Sequence, residues 1–135
     1  MPLLPLAQLC LPPSATLHET LARLDATAQG IVLVTDAQGR LLRTVTDGDL
    51  RRAALAGTPP TAPLSALPMP HAPHTVSLQA SQRDVLALMD AQRIDHVPVV
   101  DAAGRAVDLV TRRELSQRVY LSSPHLGDEE VALVQ

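Results

Sequence analysis

Two positions in the chain place a hydroxyl three residues before a carboxylate, at the end of an apolar run: Thr46 with Asp49, and Thr111 with Glu114. Such a pair reads first as a helix cap with an acid in the first turn. A helix that starts there also directs free backbone N–H groups toward an anion. An arginine pair adjoins each one, Arg51 and Arg52, then Arg112 and Arg113, although such pairs are most often solvated faces. His71, His74 and His96 offer ring nitrogens at spacings of three and twenty-two residues. A proline-rich segment around the first two makes a poor metal cage. Cys10 is the single cysteine, which excludes an internal disulfide and a cysteine-built zinc site. No Cys–His arrangement surrounds it, so it reads as a packing residue.

Composition narrows the chemistry further. The 135 residues include no Lys, no Trp, no Phe and one Tyr, and all eleven basic residues are Arg. A Lys nucleophile, a Schiff-base Lys and a phosphate-loop Lys are excluded within this chain. An aromatic platform for stacking single-stranded nucleic acid is absent as well. The formal net charge is −3 and the pI about 5.9, which argues against a general nucleic-acid binder. No run approaches the roughly eighteen apolar residues of a membrane span, and the apolar start lacks the positive region of a signal peptide. The expectation is a cytoplasmic protein with neither membrane nor nucleic acid as partner.

The elements that must position these residues come from an internal repeat. Sliding the chain by 65 residues aligns 15–50 with 80–115 without a gap, and fourteen of the 36 pairs are identical. Asp36/Asp101, Gly39/Gly104, Arg40/Arg105, Val45/Val110 and Thr46/Thr111 are among them. In each copy a Ser or Thr (Ser14 or Thr16, then Ser81) opens a helix. Leu17, Leu21, Leu24 and Ala28 recur at helical spacing in the first copy, and Val85, Leu88, Met89 and Ile94 in the second. Leu21 and Leu86 are expected in the core or on a dimer face. A β-branched strand follows (residues 31–34, then 97–100), then a turn from Asp to Gly, a second strand (41–45, then 106–110) and a second helix. The chain divides into an extension (1–13), a first repeat (14–56), a stiff linker (57–74) holding six of the twelve prolines, a second repeat (75–120) and a tail (121–135). The fold class is α+β: two pseudo-symmetric repeats, each a small sheet flanked by helices, packed into one module.

At these strings the chain resembles a tandem pair of CBS domains, over roughly residues 14–120. The first copy carries Leu41-Leu42-Arg43-Thr44-Val45-Thr46-Asp47-Gly48-Asp49-Leu50-Arg51-Arg52, similar to the variant attached to sugar-nucleotide enzymes. The second carries His96-Val97-Pro98-Val99-Val100-Asp101 and Leu109-Val110-Thr111-Arg112-Arg113-Glu114-Leu115, and the lead-in Leu67-Pro68-Met69-Pro70 with Thr75-Val76 fits the family. The resemblance implies a regulatory module. It implies an adenosine-containing ligand (AMP, ADP, ATP or S-adenosylmethionine) in a cleft between the repeats, no catalysis and no other cofactor, and a homodimer. It also implies control of an attached or partner sugar-nucleotide enzyme.

By that resemblance Thr46 and Thr111 contact phosphate, Asp49 and Glu114 accept bonds from the ribose hydroxyls, and Arg112 pairs with phosphate. Ile31, Val32, Thr75, Val76, His96, Val97 and Pro98 hold the adenine ring. The family's usual glycines are replaced by Arg43 and Asp108, whose side chains are expected to narrow the cleft and to face each other as an ion pair. The alternative is a degenerate pair that serves only as a dimerisation or docking scaffold. The tail, with Ser123-Pro124-His125 before Gly127-Asp128-Glu129-Glu130, resembles the opening of a DegT/DnrJ/EryC1-type sugar aminotransferase.

Overall fold

A computed structural model describes residues 5–69 and 71–115. After a 3-10 turn at Leu6–Leu9 come β1 (Cys10–Leu11), α1 (Leu17–Thr27), β2 (Ile31–Thr35), β3 (Leu41–Thr46) and α2 (Asp47–Leu55). A second 3-10 turn, Leu64–Ala66, leads to β4 (Val76–Ser77), α3 (Gln82–Gln92), β5 (His96–Val100) and β6 (Ala106–Thr111). Residues 112–115 begin a further helix. Each repeat holds a three-stranded sheet, β1-β2-β3 and β4-β5-β6, with a parallel then an antiparallel pairing. This is the expected α+β pair of repeats. The repeat reaches further back than the aligned residues: Leu11 pairs with Val34, and Val76, 65 positions on, pairs with Val99.

Local chemistry explains where the elements start and stop. Thr16, Thr46 and Ser81 each accept the amide of the acid three residues on, and that acid accepts the cap residue's own N–H. These reciprocal pairs are capping boxes. Both α1 and α3 end on a left-handed residue, Ala28 (φ 56°) and Arg93 (φ 57°). The shared Asp-to-Arg turn is structural. Asp36 Oδ1 accepts the amides of Gln38 and Arg40 while Oδ2 takes Arg40 Nε, each at 2.9 Å. Asp101 does the same with Ala103 and Arg105. These amides, above all those of Arg40 and Arg105, hold both carboxyls below the usual carboxylate range.

Side-chain alternation along β2 sorts the core. Val32 and Val34 join Leu17, Leu24, Val45 and Leu50 inside the first repeat, while Ile31 and Leu33 face Leu9 and Leu109 between the repeats. Val97 and Val99 pack with Val85, Met89 and Leu115 inside the second. On α1 the inner face is completed by Thr20 and Thr27, whose hydroxyls donate to the carbonyls four residues back. Leu21 is therefore no core residue; it is 51% exposed. Ala28 lies outside the helix as its cap.

The proline-rich segment is strapped to the first repeat. Leu17 and His18 donate their amides to Ala62 and Pro60, and Leu64 donates to Ala15 at 2.8 Å. Leu64 is fully buried in the first core, with Leu67 beside it.

Two hydrogen bonds mark the pseudo-two-fold between the repeats. Leu41 N donates to the Gly104 carbonyl and Ala106 N to the Gly39 carbonyl, both at 3.0 Å. Each bond becomes the other under the 65-residue shift, and Arg40 bridges to its own equivalent, Arg105. Gly39 and Gly104 both sit at φ 84°, which these turns require. Arg43 and Asp108 do not form the expected ion pair. Arg43 donates to the carbonyls of Thr44, Leu67 and Pro68. Asp108 accepts the amide of Leu109.

Candidate functional site

Among the described residues the junction between the repeats lines a large cleft, with two adjoining lobes of about 510 and 520 Å³. Its first-repeat wall is the end of β3 and the first turn of α2: Thr44, Thr46, Asp47, Gly48, Asp49 and Arg52. The facing wall is Asp95, His96 and Pro98 of the second repeat, and His71, Pro73 and His74 close the side. Arg43 borders the second lobe with Leu67 and Pro68, so its side chain shapes the cleft as expected.

Thr46 and Asp49 meet as the α2 cap. Asp49 Oδ2 accepts the Thr46 amide at 2.9 Å and the Thr46 hydroxyl at 3.2 Å, and Oδ1 takes Arg52 Nη2 at 2.7 Å. The Thr46 hydroxyl takes the Asp49 amide, while the Asp47 and Gly48 amides ahead of it have no partner inside the helix and lie beside a guanidinium, which suits an anion. His96 locks the two walls together. Its Nε2 lies 2.7 Å from the Gln29 carbonyl and its ring packs over Gly30, where an added Cβ would sit 3.7 Å from the imidazole. Because the carbonyl only accepts, Nε2 is the donor in this contact.

The remaining expected site residues fall in three places. Ile31 and Pro98 line the cleft. Val32 and Val97 are fully buried in their own repeats' cores, because consecutive strand residues point to opposite faces. Val76 also packs on the second core, and Thr75 precedes it outside the cleft walls. Thr111 and Glu114 form the equivalent cap at the second repeat, Glu114 N donating to the Thr111 hydroxyl at 3.1 Å. They border a pocket of only about 70 Å³, lined on its other side by Leu6 and Leu9. Arg112 faces away, ion-paired to Asp90 and Asp95 at 3.0 Å each, and these carboxylates raise its pKa.

Sequence reasoning missed Arg52, Thr44, His71 and His74 as wall residues. Arg52 was one of two adjacent arginines with nothing to single it out. The rings of His71 and His74 lie 5.6 Å apart, yet among the described residues no group of three or more His, Cys, Asp or Glu is placed to hold a metal ion. Cys10 is half-buried, and desolvation pushes its thiol pKa up, as for a packing residue.

A family model described as "CBS domain" matches residues 7–56 and again residues 64–120. The chain belongs to the CBS-domain family. Arabinose 5-phosphate isomerase GutQ of Salmonella typhi is 30% identical over 106 residues, which is 77% of this chain and 32% of that protein. The chain thus spans about a third of the length of the curated relatives it matches. The CBS domain protein PAE2072 from Pyrobaculum aerophilum, solved in complex with AMP, superimposes with a TM-score of 0.71 at 24% identity, over 78% of this chain and 81% of that one. The cytosolic domain of the Mg2+ channel MgtE, solved in complex with ATP, gives 0.68 at 25% identity, over 82% of this CBS pair and 44% of that chain. Among the described residues no helix is long and apolar enough to cross a membrane. Residues 121–135, where the aminotransferase resemblance falls, lie outside the described residues.

Proposed function

We propose that this CBS pair is a regulatory module that binds an adenine nucleotide in the cleft between Thr46 and His96. One observation carries the reading: a cleft of about 510 Å³ brings a capped helix start, an arginine and apolar walls from two repeats to one place. That volume lies within the roughly 300–1,000 Å³ typical of small-molecule sites. The phosphate sits at the Thr46 hydroxyl, the free α2 amides and Arg52. Asp49 accepts from the ribose, and the base lies against Ile31 and Pro98. The AMP in PAE2072 and the ATP in MgtE support the ligand class. The match to the isomerase GutQ supports attachment to, or control of, an enzyme acting on a sugar phosphate. A homodimer belongs to the same reading, and the exposed Leu21 on α1 supports it.

A second reading, a scaffold without ligand, is favoured by one feature: both oxygens of Asp49 already have partners inside the helix cap. Calorimetric titration with AMP, ADP, ATP and S-adenosylmethionine separates the two. The ligand-sensing reading expects heat with at least one phosphate-bearing nucleotide. Silence with all four leaves the scaffold.

A further inference from the structure

We propose that the module accepts one anionic ligand per chain, in the cleft at Thr46, and that the pseudo-symmetric second cleft is a sealed joint. This deepens the nucleotide reading and rests on it.

The 65-residue shift maps the strands and helix caps of the two clefts onto each other, so they differ in side chains and in their lead-ins, a 3-10 turn at Leu6–Leu9 against irregular backbone at 71–75. His71 and His74, on the rim of the open cleft, correspond to Leu6 and Leu9 in the other. The two leucines line the second cleft where the imidazoles border the open one. Leu9 is 5% exposed and packs on Ile31, Leu33 and Leu109, with Leu6 against the same cluster. Arg23 Nη1 pins the turn in place by donating to the carbonyls of Gln8 (2.9 Å) and Cys10 (3.2 Å). About 70 Å³ remains, too little for a nucleotide.

Charge repeats the asymmetry. Arg43, beside the open cleft, becomes Asp108 in the sealed one, and Arg52 becomes Gln117 in the sequence. Arg112 is held outside by Asp90 and Asp95. The second cleft therefore presents Asp108 and Glu114 with no cation among its described lining residues, whereas the open cleft sets Arg43 and Arg52 against Asp47, Asp49 and Asp95.

The test is calorimetric titration of the full chain with AMP. One site per chain is expected. Arg52→Gln, on a side chain that is 71% exposed and so safe for folding, weakens AMP by tenfold or more. Glu114→Gln leaves affinity and stoichiometry unchanged within twofold. Two sites per chain, or loss of binding in Glu114→Gln, overturns the single-cleft inference while the nucleotide reading survives. No binding by the unmodified chain sinks both.

Discussion

Asp49 is the residue on which the cap and the ligand readings meet, and Asp49→Asn separates them. The carboxylate holds the Thr46 amide at 2.9 Å and Arg52 at 2.7 Å. Asn keeps an acceptor for the Thr46 amide, so most of the cap survives. The ion pair is lost, but the Arg52 side chain is 71% exposed, and exposed pairs contribute about 0–1 kcal/mol. Removing a negative charge from the first turn costs about 0.3–1 kcal/mol more. The expected loss of stability in urea denaturation is therefore about 0.3–2 kcal/mol. The ligand effect is of similar size. Asn still accepts from the ribose, so the loss is the difference between a charged bond (about 1.5–3 kcal/mol) and a neutral one (about 0.5–1.5 kcal/mol), which weakens AMP by roughly 5- to 13-fold in calorimetry. Asp84→Asn is the internal control. Asp84 closes the same kind of box on Ser81, away from the cleft, at 3.0 and 3.3 Å. It is expected to cost similar stability and to leave AMP affinity unchanged. If Asp49→Asn loses stability while AMP affinity stays within threefold, Asp49 is only a cap and the ribose assignment is wrong.

Three further outcomes test the fold. Leu64→Ala removes a fully buried side chain from the first core and is expected to cost about 2–5 kcal/mol in chemical denaturation; a loss below about 1 kcal/mol means the proline-rich segment is a passive tether. Ala28→Gly relieves the left-handed cap of α1 and is expected to gain about 0.5–1 kcal/mol, read as a raised melting temperature. Asp36 and Asp101 have folded-state pKa values below those of the unfolded chain. Their stabilisation is thus complete above about pH 4 and is lost as pH falls through the folded values. Thermal melts between pH 2 and 7 check this, and a double Asp36→Asn, Asp101→Asn variant is expected to flatten that acid limb.

Much of the architecture was legible because it was written twice. The gapless 65-residue offset located four long strands, three capped helices and the Asp-to-Arg turns, since each of those demands the same residue types in both copies. Helical periodicity left Leu21 to the core or a dimer face, and the structure leaves it exposed. The inner face of α1 is completed by Thr20 and Thr27, which can turn inward because their hydroxyls bond to the carbonyls four residues back. The adenine-side residues were read as adjacent pairs, Ile31 with Val32 and Val97 with Pro98. A strand offers only alternate residues to a cleft, so one of each pair had to be core.

What the alignment concealed is the part that differs. The two-residue strands β1 and β4 and the lead-ins before them share a place in the fold but almost no residues, so Leu6 and Leu9 did not align visibly with His71 and His74. Arg43 and Asp108 were visible as a matched pair, and opposite charges at pseudo-symmetric positions suggested mutual attraction. The structure gives the pair a different logic. The pseudo-two-fold runs through Arg40 and Arg105, and each of the two side chains serves its own cleft. A duplicated unit starts with two equal clefts. Once one lead-in is a 3-10 turn carrying leucines and the other an irregular segment carrying imidazoles, and one strand holds Arg and the other Asp, equality is lost. Self-similarity in the sequence finds the scaffold, and the departures from it at constant offset find the site. Read in that way, the chain's missing lysines matter less than where its arginines stand: Arg43 and Arg52 border the open cleft, and no counterpart of either occupies the sealed one.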